Sequence, residues 1–446
     1  MLIRSISGVR GLVDSSLNHK VITRYARALN LVLPKGAIII GRDSRPSGEE
    51  ITEIIIQELM DLGRDIIFCG IVPTPTVQFM INNTEAIGGV VITASHNPIE
   101  WNGIKFIKKD STFFNQIDCD TLFSFFDKDE NTSNKVDSGM IWHEKNAIQK
   151  HIISCASLKC ISLNQIQERN FKVVIDSVNG AGADALPSML KMLGCQVFEI
   201  NCEPTGEFTR GTEPLPENLT DLQKKVLQVG ADVGFAVDPD ADRLAIVNNL
   251  GEAIGEELTI VIAADGYMNN NNNNNETFVT NLSTSIALDK LAKSKNYDVI
   301  RSAVGEVNVV NLMNEVGSNF GGEGNGGVIL REAHLGRDSL VAVSMVLNRL
   351  SQTNERLSLI QEQLPKYFII KDKINIEKYD YNELINNVKQ VFKHSEINLI
   401  DGIKFSWENK WIHLRKSNTE PIIRIYAEAK TKNEAKDLIF KVKSII

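Results

Sequence analysis

The chain has 446 residues, 43% of them hydrophobic, with 48 Lys and Arg against 56 Asp and Glu, a net charge of −8. That balance argues against a nucleic-acid partner, because phosphate backbones select basic surfaces. No apolar run of about 18 residues exists to span a membrane. The opening Met1-Leu2-Ile3-Arg4-Ser5-Ile6-Ser7-Gly8 lacks the regions of a secretory signal, so a cytoplasmic location is expected. The six cysteines (69, 119, 155, 160, 195 and 202) form no Cys-x-x-Cys pair, which points to reduced thiols and against a zinc site.

In chain order, Ser7-Gly8-Val9-Arg10-Gly11 puts an arginine between glycines. Ala37 to Ile40 is strand-like and runs into Gly41-Arg42-Asp43; Ile51 to Leu62 has helical periodicity, ended by Gly63. Ile66 to Phe68 is the next strand, followed by Val72-Pro73-Thr74-Pro75-Thr76. Gly88 to Ile92 is an apolar strand that stops at Thr93-Ala94-Ser95-His96-Asn97-Pro98. Open α/β sheets place ligands at such carboxyl ends, and Pro98 pushes Asn97 toward an extended conformation. Ser95 is therefore expected on a stiff turn beside His96, as a serine that takes and gives a group; a plain polar turn is the alternative. Trp101-Asn102-Gly103-Ile104-Lys105 follows, and Lys105 is expected to return toward Ser95.

The strand–helix alternation repeats at Lys172 to Ile175, Leu186 to Leu193 and Gln196 to Ile200, and again at Thr277 to Thr280, Ser285 to Lys293 and Asp298 to Arg301. Three parallel α/β units in series are expected. Linkers are expected at Asp127 to Ser138, Asn248 to Glu257 and Lys366 to Tyr381. The remainder resembles a smaller α+β unit, with a helix near Glu383 to Phe392 and strands around Trp411 and Ile422. The seven asparagines from Asn269 to Asn275 are expected to form a solvated loop tip.

Within the second unit, the strand from Val233 runs into Asp238-Pro239-Asp240-Ala241-Asp242-Arg243, and a second strand leaves through Leu244 to Val247. Three carboxylates within five residues repel one another unless a cation neutralises them, and oxygen ligands suit a hard ion such as Mg²⁺. A rival reading makes Asp238 the nucleophile and Asp240 the acid of an aspartate-dependent phosphatase. Further on, Gly321-Gly322-Glu323-Gly324-Asn325-Gly326-Gly327 matches a dinucleotide fingerprint only weakly, because Val328 to Leu330 is strand-like where the fingerprint needs a helix. Glu323 and Asn325 are expected to bond sugar hydroxyls. Near the end, Arg415-Lys416-Ser417-Asn418-Thr419-Glu420-Pro421 and Arg424 have the composition of a phosphate cradle: a forked cation with hydroxyls and an amide.

Together these segments resemble the α-D-phosphohexomutase superfamily, with its serine, metal, sugar and phosphate loops in the same order along nearly the whole chain. The resemblance implies three similar α/β domains (1–137, 138–256 and 257–367) and a C-terminal α+β domain (368–446) related to TATA-binding-protein-like folds, around a central cleft. It implies that Ser95 is carried as phosphoserine. Asp238, Asp240, Asp242 and a phosphoserine oxygen would hold one Mg²⁺. A sugar 1,6-bisphosphate would be activator and intermediate, and a hexose phosphate the substrate. Arg10, His96 and Lys105 would assist catalysis. Arg243, Glu323, Asn325, Arg415, Ser417, Asn418, Thr419 and Arg424 would bind substrate. Two departures stand out. Asn325-Gly326-Gly327 replaces the frequent Ser-Gly-His, and Glu306 replaces a second histidine; His334 is a nearby candidate substitute. The Gly-Glu-Gly-Asn-Gly-Gly form is similar to a subgroup of phosphoglucosamine and phosphomannomutases, which makes glucosamine phosphate the expected substrate and mannose or glucose phosphate the alternative. A monomer or homodimer is expected.

Overall fold

The computed structural model describes residues 2–128, 137–270, 276–375, 381–416 and 422–445. It divides into two compact units, Met1–Asn271 with Asn325–Ser358, and Asn272–Gly324 with Leu359–Ile446.

The first unit carries two sheets. The larger has seven strands in the order Ile3–Ser5, Gly8–Leu12, Trp101–Lys108, Gly88–Ile92, Ile38–Arg42, Ile66–Ile71, Ile141–His143. Its centre is parallel: Ile38–Arg42 lies between Ile66–Ile71 and Gly88–Ile92. Parallel strands are covered on both faces, which is why Ile38, Ile39 and Ile40 form a continuous apolar run and are all buried. The helices His19–Val32 and Ser47–Asp61 pack together. Asn18 caps the first, its Oδ1 accepting from Val21 N at 3.2 Å. The second starts with Glu49 and Glu50 against its positive end. Gly88–Ile92 and Trp101–Lys108 are antiparallel, with Val91 opposite Lys105, so the Ser95 turn is the tip of a long hairpin.

The smaller sheet has the order Leu244–Asn248, Val233–Val237, Lys172–Asp176, Gln196–Ile200. Val233–Val237 is parallel to Lys172–Asp176 and antiparallel to Leu244–Asn248. The three aspartates occupy the turn between Val233–Val237 and Leu244–Asn248. Helices Thr259–Asn270 and Ser339–Ser351 pack together beside them.

Asn269 and Asn270 end the Thr259–Asn270 helix and do not belong to a loop tip. Asn269 Nδ2 donates to Gln352 Oε1 at 2.8 Å, and Asn270 Nδ2 donates to the Cys160 carbonyl at 3.0 Å. These acceptors come from the end of the helix Ser339–Ser351 and from the turn before Leu163–Arg169, which local composition does not reveal. Asn271 to Asn275 lie outside the described residues.

The second unit contains the parallel strands Asp298–Ser302, Thr277–Asn281 and Phe320–Glu323. It also contains a five-stranded antiparallel sheet in the order Phe368–Asn375, Ile422–Ala429, Lys410–Lys416, Ile403–Trp407, Glu396–Asn398. Residues of the helices Tyr381–Val391 and Lys432–Lys443 share one apolar core with this sheet. Buried polar groups join the two parts: Lys404 Nζ donates to the Leu282 carbonyl at 2.5 Å, and Ile286 N donates to Glu428 Oε2 at 2.9 Å. Three α/β/α domains and a C-terminal domain with an antiparallel sheet are thus the architecture, and among the described residues no helix is long and apolar enough to cross a membrane.

Candidate active site

Ser95 stands on the turn after Gly88–Ile92 with φ of 50°, in the left-handed region that a residue with a Cβ rarely adopts. Such a conformation costs about 1–3 kcal/mol and persists only when neighbours over-determine it. They do so here. Arg45 Nη2 donates to the carbonyls of Ser95 at 2.7 Å and Asn97 at 2.6 Å. Asp43 pairs with the same guanidinium and accepts from Thr93 Oγ1 at 2.6 Å, while Thr93 Oγ1 accepts from Ser95 N at 2.8 Å. Gly103 closes the base of the hairpin: a Cβ there would lie 2.5 Å from the Val9 carbonyl and 2.8 Å from that of Thr93. No side chain fits between those strands.

The turn brings Ser95 Oγ to 3.3 Å from Asp238 Oδ2 and 3.4 Å from His96 Nδ1. Asp238, Asp240 and Asp242 are all buried, with one carboxylate oxygen of each within 4.8 Å of the others. Their environments differ. Burial, Asp242 and Asp240 push the Asp238 carboxyl well above its usual range. Burial also opposes ionisation of Asp240, but the Lys105 ammonium, the hydrogen bonds from Lys105 and Thr74, and Arg337 outweigh it and hold that carboxyl far below the usual range. Lys105 Nζ lies 2.7 Å from Asp240 Oδ2 and 3.7 Å from Asp242 Oδ2, and Thr74 Oγ1 donates to Asp240 Oδ2 at 2.8 Å. An aspartate held ionised so firmly is a poor general acid, which weighs against the aspartate-phosphatase reading.

The triad fits a hard cation by its own chemistry. Asp240 Oδ1 and Asp242 Oδ1 are buried and accept no hydrogen bond. Buried acceptors left unmade cost about 1–3 kcal/mol each, and three converging carboxylate oxygens are the donor set for an ion of the Mg²⁺ type.

Cations surround this centre. Arg243 Nη1 reaches Glu213 Oε1 at 3.2 Å, Arg243 Nη2 lies 3.4 Å from His96 Nδ1, and Arg243 Nε lies 3.8 Å from Asp242 Oδ1. Arg10 Nη1 donates to Asn97 Oδ1 at 2.8 Å. Burial, then Arg243 and Arg10, drive the His96 imidazole down to about 2, so it is neutral at physiological pH.

Several contributors have no sequence signal of their own. Thr74 belongs to a helix, Thr74–Asn82, that starts on Pro75, and its hydroxyl serves Asp240 across 166 positions. Arg337 Nη2 donates to Asp242 Oδ2 at 2.6 Å. A Cβ on Gly327 would overlap the Arg337 side chain, so the glycine that replaces the family histidine is what lets this arginine through. Glu213 and Thr212 come from an irregular segment, Thr212 Oγ1 bonding the His96 carbonyl. The Arg45–Asp43 pair follows the strand end at Gly41-Arg42-Asp43 and was detectable there. His334 does not stand in for the missing histidines: its Nε2 contacts Asp338 Oδ2 at 3.2 Å in a buried cluster with His151.

In the second unit, Glu323 is buried, its Oε1 accepting from Asn281 Nδ2 at 2.7 Å and Gly305 N at 3.0 Å. Asn325, in the first unit, has its Oδ1 3.2 Å from Gly327 N, closing its own loop. Arg415 and Arg424 sit directly opposite each other on antiparallel strands. Like charges so placed repel, and Asp401 offsets Arg415 at 2.8 Å. Ser417, Asn418 and Thr419 lie outside the described residues.

Family models match along the chain: phosphoglucomutase/phosphomannomutase α/β/α domain I over residues 2–133, domain II over 149–251, domain III over 255–368 and the C-terminal domain over 374–442. The chain belongs to the phosphoglucomutase/phosphomannomutase family. As a member of the α-D-phosphohexomutases it is an intramolecular phosphotransferase acting on phosphosugars. It is 33% identical to a phosphoglucomutase/phosphomannomutase of Thermococcus kodakarensis, covering 97% of this chain and 95% of that protein. It is also 33% identical to a probable phosphoglucosamine mutase of Pyrococcus furiosus, over 99% and 96%. A solved phosphoglucomutase/phosphomannomutase family protein of Burkholderia thailandensis superimposes with a TM-score of 0.85 at 23% identity, over 99% and 97% of the two chains.

Proposed function

We propose that this phosphohexomutase interconverts glucosamine 6-phosphate and glucosamine 1-phosphate through a phosphoserine at Ser95. The carrying observation is the Ser95 hydroxyl, on a turn clamped by Arg45 and set 3.3 Å from Asp238 Oδ2 of a triad that keeps two buried carboxylate oxygens without a hydrogen bond. The amino-sugar assignment is supported by the Gly-Glu-Gly-Asn-Gly-Gly loop and by the phosphoglucosamine mutase name of the Pyrococcus relative.

In this reading the bond from phosphorus to Ser95 Oγ breaks as one forms to the free sugar hydroxyl. That hydroxyl loses its proton and Ser95 Oγ regains one. The resulting 1,6-bisphosphate turns over and returns its other phosphate to Ser95. Phosphoryl transfer asks the protein mainly for positioning and charge neutralisation. A phosphoserine carries about −1.5 to −2 charges. Arg10 and Arg243 are the side chains that offset them. Lys105 keeps Asp240 ionised and serves as the proton carrier at Ser95 Oγ, and neutral His96 orients that oxygen by a hydrogen bond at Nδ1. Asp238, Asp240 and Asp242 would hold Mg²⁺, which supplies charge neutralisation of the phosphoryl group. Glu323 and Asn325 recognise the sugar, and Arg415, Ser417, Asn418, Thr419 and Arg424 grip the phosphate that is not reacting.

The test is a ³¹P NMR time course with Mg²⁺, a trace of sugar 1,6-bisphosphate, and the 1-phosphates of glucosamine, mannose and glucose in separate reactions. Glucosamine 1-phosphate should convert fastest. A faster mannose or glucose 1-phosphate overturns the substrate, and an active Ser95→Ala protein overturns the phosphoserine.

A further inference from the structure

Besides the aspartate triad, one other group of ligand-type side chains converges in the described residues. His151 and Cys155 stand one turn apart on the helix Ala147–Ala156, so both point to the same side. His334 and Asp338 repeat that spacing on the approach to the helix Ser339–Ser351, which Asp338 caps through Oδ1, accepting from Leu340 N at 2.8 Å. The other oxygen, Asp338 Oδ2, meets His151 Nε2 at 2.9 Å, His334 Nε2 at 3.2 Å and Cys155 Sγ at 4.0 Å. The ligand atoms of His151, Cys155 and Asp338 all lie within 4.8 Å of one another. All four side chains are buried.

We propose that His151, Cys155 and Asp338 form a buried site for a borderline divalent cation, zinc by preference, with His334, 3.2 Å from Asp338 Oδ2, as the nearest further donor. The argument rests on ligand type, spacing and separation. Two imidazoles, a thiolate and a carboxylate are the donors that suit Zn²⁺ and disfavour Mg²⁺. Bonds of about 2.0–2.1 Å to nitrogen and oxygen in a tetrahedron set neighbouring ligand atoms about 3.3 Å apart. The two imidazole-to-carboxylate distances are within a few tenths of an ångström of that. Paired ligands four residues apart on a helix are a recurrent way to present two donors to one ion. A supporting group is already in place behind His151: its Nδ1 lies 3.0 Å from Thr76 Oγ1, the partner a ligating imidazole needs, and its ring stacks on Phe79. Without an ion the same atoms form a hydrogen-bonded cluster, with both imidazoles and the Cys155 thiol on Asp338 Oδ2.

Charge and protons balance. The thiolate and carboxylate match the two charges of the ion. The His151 imidazole stays neutral with its proton on Nδ1, facing Thr76 Oγ1, and one proton, from the Cys155 thiol, leaves for each ion bound. Cys-x-x-Cys spacing is the wrong thing to seek here, because the donors come as His-x-x-x-Cys and His-x-x-x-Asp from two segments 183 positions apart. The site would pin the segment that carries Arg337 and hence its bond to Asp242.

The test is metal analysis of the full-length protein, produced with zinc present and purified without chelator. About one zinc per chain should remain after exchange into Mg²⁺ buffer, and also in Asp240→Asn, whose triad is disabled. Cys155→Ser and His334→Gln should each weaken zinc retention by at least about tenfold in competition with a chromophoric chelator. In cobalt-loaded wild-type protein a sulfur-to-cobalt charge-transfer band should appear. Wild-type protein without zinc and without that band, or zinc that survives both substitutions, overturns the site. The cobalt spectrum of the wild type decides the matter if a variant fails to fold.

Discussion

Arg337→Gln isolates what the arginine behind the triad contributes. The guanidinium donates to Asp242 Oδ2 at 2.6 Å, with the side chains only 11% and 1% exposed. At a charge separation of about 4 Å and an effective dielectric of about 20 the attraction is about 4 kcal/mol. Removing one member of a buried pair costs about 3–5 kcal/mol in general. Asp242 keeps Lys105 at 3.7 Å and Arg243 at 3.8 Å, so the low end applies. We expect Arg337→Gln to lose about 3 kcal/mol of unfolding free energy in chelator, by urea denaturation. The lost charge is one that a bound cation can replace, so saturating Mg²⁺ should recover at least half of that loss. Mg²⁺ would then stabilise the variant more than the wild type, beyond the roughly 2.7 kcal/mol that ligand at a hundred times its dissociation constant gives. A loss under about 1 kcal/mol, or one of equal size with and without Mg²⁺, would refute the electrostatic account.

Gly327→Ala should reproduce part of the same defect, because its Cβ displaces the arginine; its unfolding curve should respond to Mg²⁺ as that of Arg337→Gln does, and an unperturbed curve counts against the overlap. Asp240→Asn removes the carboxylate that pairs with Lys105 and Thr74, and turnover should fall about a hundredfold or more and lose its Mg²⁺ saturation. For His413, burial sets the folded-state value at about 4, below the ordinary 6.5. The unfolded chain therefore binds the proton first: the second unit keeps its full stability above about pH 6.5 and loses about 2–3 kcal/mol as pH falls to about 4. Hydrogen exchange along Lys410–Lys416 should report this, and protection that is flat with pH in the wild type, or identical in His413→Gln, would refute it.

What the sequence revealed follows the range of each interaction. Buried parallel strands need long apolar runs, so Ile38 to Ile40 and Val233 to Val237 were visible, and so were the polar turns at their carboxyl ends. The Asp-x-Asp-x-Asp spacing was visible because repulsion among three close carboxylates is a local fact. Partners that arrive from far along the chain leave no local mark. The Thr74 hydroxyl, the Arg337 fork and the edge strand Ile141–His143, which joins Ile66–Phe68, are of this kind. Asn269 and Asn270 misled for the same reason: their partners are the Gln352 side chain and the Cys160 carbonyl, far along the chain.

Both departures from the usual family pattern acquire a physical reason in the structure. Glu306 opens the helix Glu306–Val316, where a carboxylate favours the positive helix end. A histidine there would carry the opposite preference once protonated. Gly327 is the more consequential change. A side chain at 327 and the observed path of Arg337 exclude each other, so glycine at one position and arginine at the other form a single structural choice. An imidazole at 327 would be a switchable charge, whereas Arg337 is a permanent one fixed to Asp242. The triad of this chain is therefore held by a cation whose charge does not titrate, and in the proposed mechanism the proton is carried by Lys105, whose ammonium lies 2.7 Å from Asp240.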